Sequence, residues 1–188
     1  MQRRIYIYQF KLSSEIVDLF SNLGSFFSVE KFEDDILTIV DTDYFNPEPI
    51  DFDAIRELII QDFSEDITIF IEPYLEEEFF LKENVDCFIK ELNNGINYFE
   101  DIIAYTVVKG KEPLKKKISK YISDKVNSEV IHTVREFINN NMNSSSTSKK
   151  LFMHRNTLNY RIDNFIEITK INVKTFKGAN AIYMLYHF

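Results

Sequence analysis

The sequence predicts an α+β protein, with an N-terminal β-α-β-β-α-β unit followed by an all-helical C-terminal part. Over residues 4–71, short strand-like runs alternate with segments whose apolar residues recur at helical spacing. From residue 112 onward only the helical spacing persists. Glycine and proline number four each among 188 residues, which favours regular elements with short connections over linkers or disorder.

The elements of the N-terminal unit follow from local patterns. We expect strands at residues 4–12, 26–32, 36–41 and 67–71, and helices at residues 13–23, with Ser14 as a candidate cap, and 52–63. Glu33, Asp34 and Asp35 mark a hairpin turn, and the Asn-Pro-Glu-Pro segment at 46–49 is a breaker. This order is the split βαβ, or ferredoxin-like, arrangement, an antiparallel sheet backed by helices.

The pattern after the strand expected at residues 67–71 predicts how the chain divides into domains. An acidic helix at about residues 76–92 and a strand at about 102–108 are expected next. Residues 112–127 then predict an amphipathic connecting helix, with an apolar stripe opposite the lysines at 115–117. The expected parts are an acidic sensory or dimerisation domain at 1–110, a connecting helix at 111–128 and a DNA-binding domain at 129–188.

The charge is distributed unevenly along the chain. The net charge is −8, but residues 1–108 carry −17, residues 109–128 carry +5 and residues 129–188 carry +4. Such asymmetry is expected when one part of a protein repels phosphate and another approaches it. The alternative is two domains that merely differ in surface charge.

Composition also limits the compartment and the kind of site. The single cysteine, Cys87, excludes an internal disulfide and a CxxC metal site, and it suits a reducing cytoplasm. The N-terminal residues lack the apolar core of a signal peptide, and no stretch reaches membrane-spanning length. The sequence therefore predicts a cytoplasmic protein with no membrane partner.

Residues 129–188 show the spacing of a helix-turn-helix. A first helix is expected to end at residues 139–141, and a short second helix to start at the possible caps 144–146, with Leu151 and Phe152 pointing inward. A tight turn at Met153 and His154 leads to a third helix from Arg155. Its inner face is expected to carry Leu158, Ile162, Phe165 and Ile166. In this geometry the first turns of the third helix enter the major groove.

The exposed residues of this segment suit DNA recognition. Arg155 pairs well with guanine and Asn156 with adenine, while hydroxyls and basic groups bind phosphate. The preceding helix crosses the backbone, where lysines would contact phosphate. The candidate DNA-binding residues are Lys149, Lys150, Arg155, Asn156, Thr157, Asn159, Tyr160 and Arg161.

The string at residues 146–162, STSKKLFMHRNTLNYRI, resembles the C-terminal helix-turn-helix of the PucR/CdaR family, which are bacterial regulators of purine and sugar-diacid catabolism. The resemblance extends from Val130 to the end of the chain. It implies a recognition helix starting at Arg155 and a terminal helix at about residues 179–187. Two residues depart from the family pattern: Ser148 stands at a usual alanine and Lys170 at a usual glycine.

The first half bears a weaker likeness to a degenerate GGDEF-like domain, which members of this family often carry before the helix-turn-helix. Residues 32–36 fall on the hairpin where a diguanylate cyclase has its signature, but the two glycines that admit the nucleotide are absent. The first strand also offers no aspartate for the metal pair that phosphoryl chemistry needs. We therefore expect no catalysis here. The alternative reading of residues 33–35 is an ordinary acidic turn.

Three hypotheses for function remain. The favoured one is a DNA-binding transcriptional regulator that acts as a homodimer on double-stranded DNA and senses an unknown small molecule or self-associates through its first half. A divergent nucleotide-handling enzyme with a helical tail is the second, and a protein-interaction module is the third. His132, His154 and His187 show no metal-ligand spacing, and no nucleotide-binding or nucleophile motif occurs. No catalytic residue, metal or cofactor is predicted.

Overall fold

The computed structural model describes residues 2–23, 27–41 and 50–187. The chain divides into two compact units, Met1–Phe99 and Glu100–Phe188. This division falls ahead of residue 110, where the sequence placed the end of the first domain. The three-part division at 110 and 128 remains a prediction about function.

The N-terminal unit confirms the predicted β-α-β-β-α-β order. Its elements are β1 (Arg3–Tyr8), α1 (Ser14–Asn22), β2 (Phe27–Glu33), β3 (Ile36–Asp41), α2 (Phe52–Phe63), β4 (Thr68–Ile71) and an additional β5 (Gly95–Asn97). The sheet order is β2-β3-β1-β4-β5, with antiparallel pairing in the ferredoxin-like part and β5 parallel to β4. The predicted breaker at residues 46–49 and the predicted strand start at Phe26 lie outside the described residues.

Strand alternation places one face of this sheet against both helices. Ile5 and Ile7 of β1 are fully buried in a core that also takes Ile16 from α1 and Ile59 from α2. Ser13, rather than the predicted Ser14, caps α1 by accepting a hydrogen bond from the Ile16 amide. The predicted hairpin turn is present, with Asp34 and Asp35 at φ of 52° and 66°. Positive φ at both central residues is the geometry that matches strand twist in two-residue hairpins.

The predicted acidic helix at residues 76–92 is wrong. That segment is irregular, with two 3₁₀ turns at Lys82–Cys87 and Ile89–Glu91. Phe79 and Phe88 both contact the ring of Phe70, at centroid distances of 5.9 and 5.3 Å. In a continuous α-helix these two residues would lie about 13.5 Å apart along the axis, too far to share one ring. Tertiary packing on β4 therefore overrides the helical pattern.

The predicted strand at residues 102–108 is also wrong, because this segment forms helix α3 (Phe99–Val108). Its β-branched composition suggested a strand. The buried positions Phe99, Ile102, Ile103 and Thr106 nevertheless follow helical spacing. Gly110, two residues after the last helical residue, has a φ of 62°, the left-handed conformation that closes many helices.

The remaining C-terminal helices agree with the sequence prediction in number and order. They are α4 (Glu112–Lys125), α5 (Ser128–Asn139), α6 (Ser144–Lys150), α7 (Arg155–Thr169) and α8 (Phe176–His187). Helix α8 begins before the expected residue 179, and Asn143 caps α6 instead of the serines at 144–146. Buried residues inside this unit include Val134, Phe137, Leu158, Ile162, Phe165, Ile182 and Leu185. None of the described helices is long and apolar enough to cross a membrane.

Lys170 closes α7 in the conformation that the usual glycine would adopt. Its φ is 60°, and its amide donates to the Ile166 carbonyl at 2.8 Å. A lysine is strained there, so Lys170→Gly is expected to raise the free energy of unfolding by about 1 kcal/mol. Urea denaturation followed by circular dichroism measures this. Lys170→Ala is the matched control and should give no gain, since alanine is strained too. If Lys170→Gly were less stable than wild type, the left-handed conformation of residue 170 would be contradicted.

Candidate nucleic-acid interface

Helices α6 and α7 are joined by four residues, Leu151 to His154. Helix α6 ends with two backbone hydrogen bonds, from the Phe152 amide to the Lys149 carbonyl and from the Met153 amide to the Ser148 carbonyl. Helix α7 begins at once, since Nδ1 of His154 accepts a hydrogen bond from the Asn156 amide at 3.2 Å. His154 therefore starts the helix, as its position in the sequence suggested. The short connection fixes the start of α7 relative to α6.

Helix α7 has one buried and one exposed side. Leu158, Ile162 and Phe165 are fully buried, whereas Ile166, predicted to share this face, is half-buried. The residues predicted to contact bases and phosphates lie on the first turns of α7. Arg155, Asn156 and Thr157 are exposed there. Tyr160 is 70% exposed, and Asn159 is half-buried. The fold thus brings these residues together at one helix end.

The predicted basic contacts divide into two classes. Arg155 and Lys149 are exposed and have no ion-pair partner within the described part of the chain. Lys150 instead pairs with Glu136 at 2.7 Å, and this ammonium group lowers the pKa of the Glu136 carboxyl. Arg161 donates to Glu129 at 2.7 Å and to the Thr133 hydroxyl at 3.1 Å. To reach phosphate, Lys150 and Arg161 must exchange an internal partner, whereas Lys149 and Arg155 need not.

The spacing wrongly predicted that Phe152 points inward. Its side chain is 97% exposed, and the neighbouring Leu151 is only half-buried. The physical reason is the φ of 51° at Phe152, which turns the side chain away from the helices. Ser148, by contrast, fits the position usually held by alanine, because its hydroxyl donates to the Ser145 carbonyl at 3.1 Å.

A buried polar cluster in the N-terminal unit is absent from the residues predicted from the sequence. Arg4 on β1 pairs with Glu30 at 2.7 Å, and the carboxylate of Glu72 accepts hydrogen bonds from the Arg4 amide and the Tyr6 hydroxyl. Burial raises the pKa of Glu72. Arg4 also lines two cavities of about 570 and 450 Å³. No local signal could have found this cluster, because its members are far apart in sequence.

The hairpin at Asp34 and Asp35 lies beside the smaller cavity, which Glu33 and Asp34 help to line. Within residues 2–23, 27–41 and 50–187, no group of three or more histidine, cysteine or acidic side chains is arranged to hold a metal ion.

Comparison with known proteins identifies the helical segment. Residues 130–187 match the PucR C-terminal helix-turn-helix domain, so the resemblance inferred from the sequence is confirmed. The chain is 39% identical over 93 residues to the uncharacterized protein YxkF of Bacillus subtilis, covering 46% of this chain and 30% of that protein. It is 34% identical over 56 residues to the proline-responsive transcriptional activator PutR of the same organism, covering 30% of this chain and 14% of PutR. The matched segments thus span less than a third of either relative.

One solved structure resembles nearly the whole chain. A regulator of polyketide synthase expression from Bifidobacterium adolescentis has a TM-score of 0.50 and 13% sequence identity, with 98% of this chain and 78% of that chain covered. At this identity the likeness shows the fold, and it confirms the predicted α+β class.

Proposed function

Given the PucR-type helix-turn-helix over residues 130–187, we propose that the chain is a sequence-specific, DNA-binding transcriptional regulator. In this proposal α7 is the recognition helix, and its first turns, which begin at Arg155, enter the major groove. The observation that carries it is the concentration of Arg155, Asn156 and Thr157 on one exposed helix start. Two similar proteins, a proline-responsive transcriptional activator and a regulator of polyketide synthase expression, support a role in gene regulation.

Each residue has a proposed role. Arg155 donates two hydrogen bonds to guanine, and Asn156 pairs with adenine. Thr157, Asn159 and Tyr160 contact the flanking backbone or base edges, and the start of α7 presents backbone amides to phosphate. Lys149 anchors the backbone from α6. Lys150 and Arg161 contribute after releasing Glu136 and Glu129.

The acidic first half has a different proposed role. Its charge of −17 over residues 1–108 repels phosphate. It therefore serves as a cytoplasmic sensory or dimerisation part rather than a second DNA contact. We propose that it is a degenerate, non-catalytic GGDEF-like domain, because residues 32–36 lack the glycines of the signature. An assay for cyclic dinucleotide from GTP and Mg²⁺ checks this against the enzyme hypothesis.

The test of function is selection from a randomised duplex pool by the full-length chain, followed by footprinting of the enriched duplex. We expect a discrete sequence to be enriched. Protection of two half-sites about one helical turn apart is expected for a homodimer. Enrichment of no sequence over the starting pool would contradict the proposal.

Backbone anchoring predicts a difference between two adjacent lysines. Lys149→Ala is expected to weaken binding to all duplexes by similar factors and to reduce the slope of log K against log salt by about 0.9. Lys150→Ala should have a smaller effect, since Lys150 already pairs with Glu136. Fluorescence anisotropy at several salt concentrations measures both slopes.

Glu136→Gln is the matched control for this pair. It frees Lys150 and removes a negative charge, so it should tighten binding to random DNA. If wild type and Lys149→Ala had equal slopes of log K against log salt, Lys149 would not be a phosphate contact.

A further inference from the structure

Phe152 occupies a backbone position that normally belongs to glycine. Helix α6 closes with the paired bonds Phe152 amide to Lys149 carbonyl, at 3.2 Å, and Met153 amide to Ser148 carbonyl, at 3.0 Å. This pair defines the Schellman motif, in which the residue at the place of Phe152 is left-handed and is most often glycine, sometimes asparagine. Phe152 adopts that conformation with φ of 51°.

Among the residues that the structure describes, no packing of the Phe152 side chain offsets this strain. It is 97% exposed, the largest exposure among the large hydrophobic side chains that the structure describes. An exposed aromatic residue alone is ordinary on a protein surface. A bulky aromatic residue that is both strained at its backbone and fully exposed points to a contact outside the folded chain.

The position of Phe152 indicates which molecule makes that contact. It lies three residues before Arg155, so the two Cα atoms are within about 11 Å of each other. Lys149 and Arg155, the two unpaired basic residues of the proposed interface, lie on either side of it in the sequence. A side chain in the turn between two DNA-contacting helices is near the edge of the groove.

We propose that Phe152 is a DNA contact that packs its ring on an apolar part of the duplex at the groove edge. Two apolar surfaces are available there, the 5-methyl group of thymine and the deoxyribose ring. This inference rests on the proposed function and extends the interface beyond the polar and charged residues of α6 and α7.

The test compares Phe152→Asn with wild type on the duplex that the wild-type chain enriches. Asparagine tolerates the left-handed conformation, so the melting temperature should stay the same or rise. Affinity for the enriched duplex should fall about tenfold, the scale of burying much of one aromatic side chain. The salt slope should not change, because no charge is removed. Phe152→Tyr keeps the ring and, as the matched control, should keep the affinity.

Replacing thymine by deoxyuridine in the same duplex separates the two apolar surfaces. If the ring packs on a thymine methyl, wild type loses affinity at one position and Phe152→Asn does not. If it packs on deoxyribose, the tenfold difference between the two proteins persists on the substituted duplex. Either result supports the contact.

Three results would overturn the inference. One is equal affinity of Phe152→Asn and wild type, another is a lower melting temperature of the variant, and the third is a loss of self-association with DNA affinity unchanged. Failure of the proposed function is a different observation, since wild type itself would then enrich no duplex.

Discussion

Replacing Gly178 by alanine is expected to lower the free energy of unfolding of the C-terminal unit by about 3 kcal/mol, the upper range for overpacking. The added Cβ would lie 2.2 Å from the Asn172 carbonyl oxygen and 2.6 Å from its carbon. These are backbone atoms, and Asn172 is held in place because its carbonyl accepts a hydrogen bond from the Thr175 amide. Alanine's better helix propensity, about 1 kcal/mol, is too small to compensate.

Urea denaturation followed by far-ultraviolet circular dichroism measures this loss. Asn180→Ala, at an exposed position of the same helix, is the matched control and should leave stability nearly unchanged. An alanine variant at 178 as stable as wild type would show that the approach of α8 to residues 172–173 is wider than described.

Replacing Arg155 or Asn156 by alanine is expected to cost about 1–3 kcal/mol of binding free energy on the enriched duplex and much less on random DNA. Both side chains are exposed on the first turn of α7, so the variants should fold normally. Specificity therefore falls together with affinity, unlike the uniform loss expected for Lys149→Ala. Competition binding against random duplex measures the ratio.

Glu167→Gln is the control on the same helix, because Glu167 is exposed but lies near the opposite end of α7. It should leave the preference for the enriched duplex unchanged. If the Arg155 and Asn156 variants kept the wild-type preference for the enriched duplex, α7 would not be the helix that contacts the bases. The helix-turn-helix would then describe the fold of this segment and not its function.

The helix-turn-helix could be predicted closely because its signals are local. The start of α7 at Arg155 depends on a cap and a turn within a few residues, and the inner face follows helical spacing through Leu158 and Ile162. The orientation of Phe152 could not be predicted, since the sequence pattern does not reveal a left-handed backbone at a phenylalanine. The internal partners of Lys150 and Arg161 were also missed, because Glu136 and Glu129 lie on another helix.

In the N-terminal unit the prediction held as far as the hairpins and helices are set by neighbouring residues. It failed at residues 76–92 of this unit, where distant packing decides, and at residues 102–108 of the C-terminal unit. Phe79 and Phe88 both pack against the ring of Phe70, and this shared contact is incompatible with a regular helix between them. In α3 the β-branched composition concealed a helical periodicity that the burial of Ile102, Ile103 and Thr106 makes plain.

The most direct test of base reading by α7 is a double-mutant cycle between Arg155 and single base pairs of the enriched duplex. Each G·C pair of a half-site is replaced in turn, and binding by wild type and Arg155→Ala is compared. We expect one G·C pair whose replacement costs wild type about 1–3 kcal/mol of binding free energy and costs Arg155→Ala almost nothing, while replacements at the other positions cost both proteins equally. The same losses for both proteins at every position would contradict this expectation.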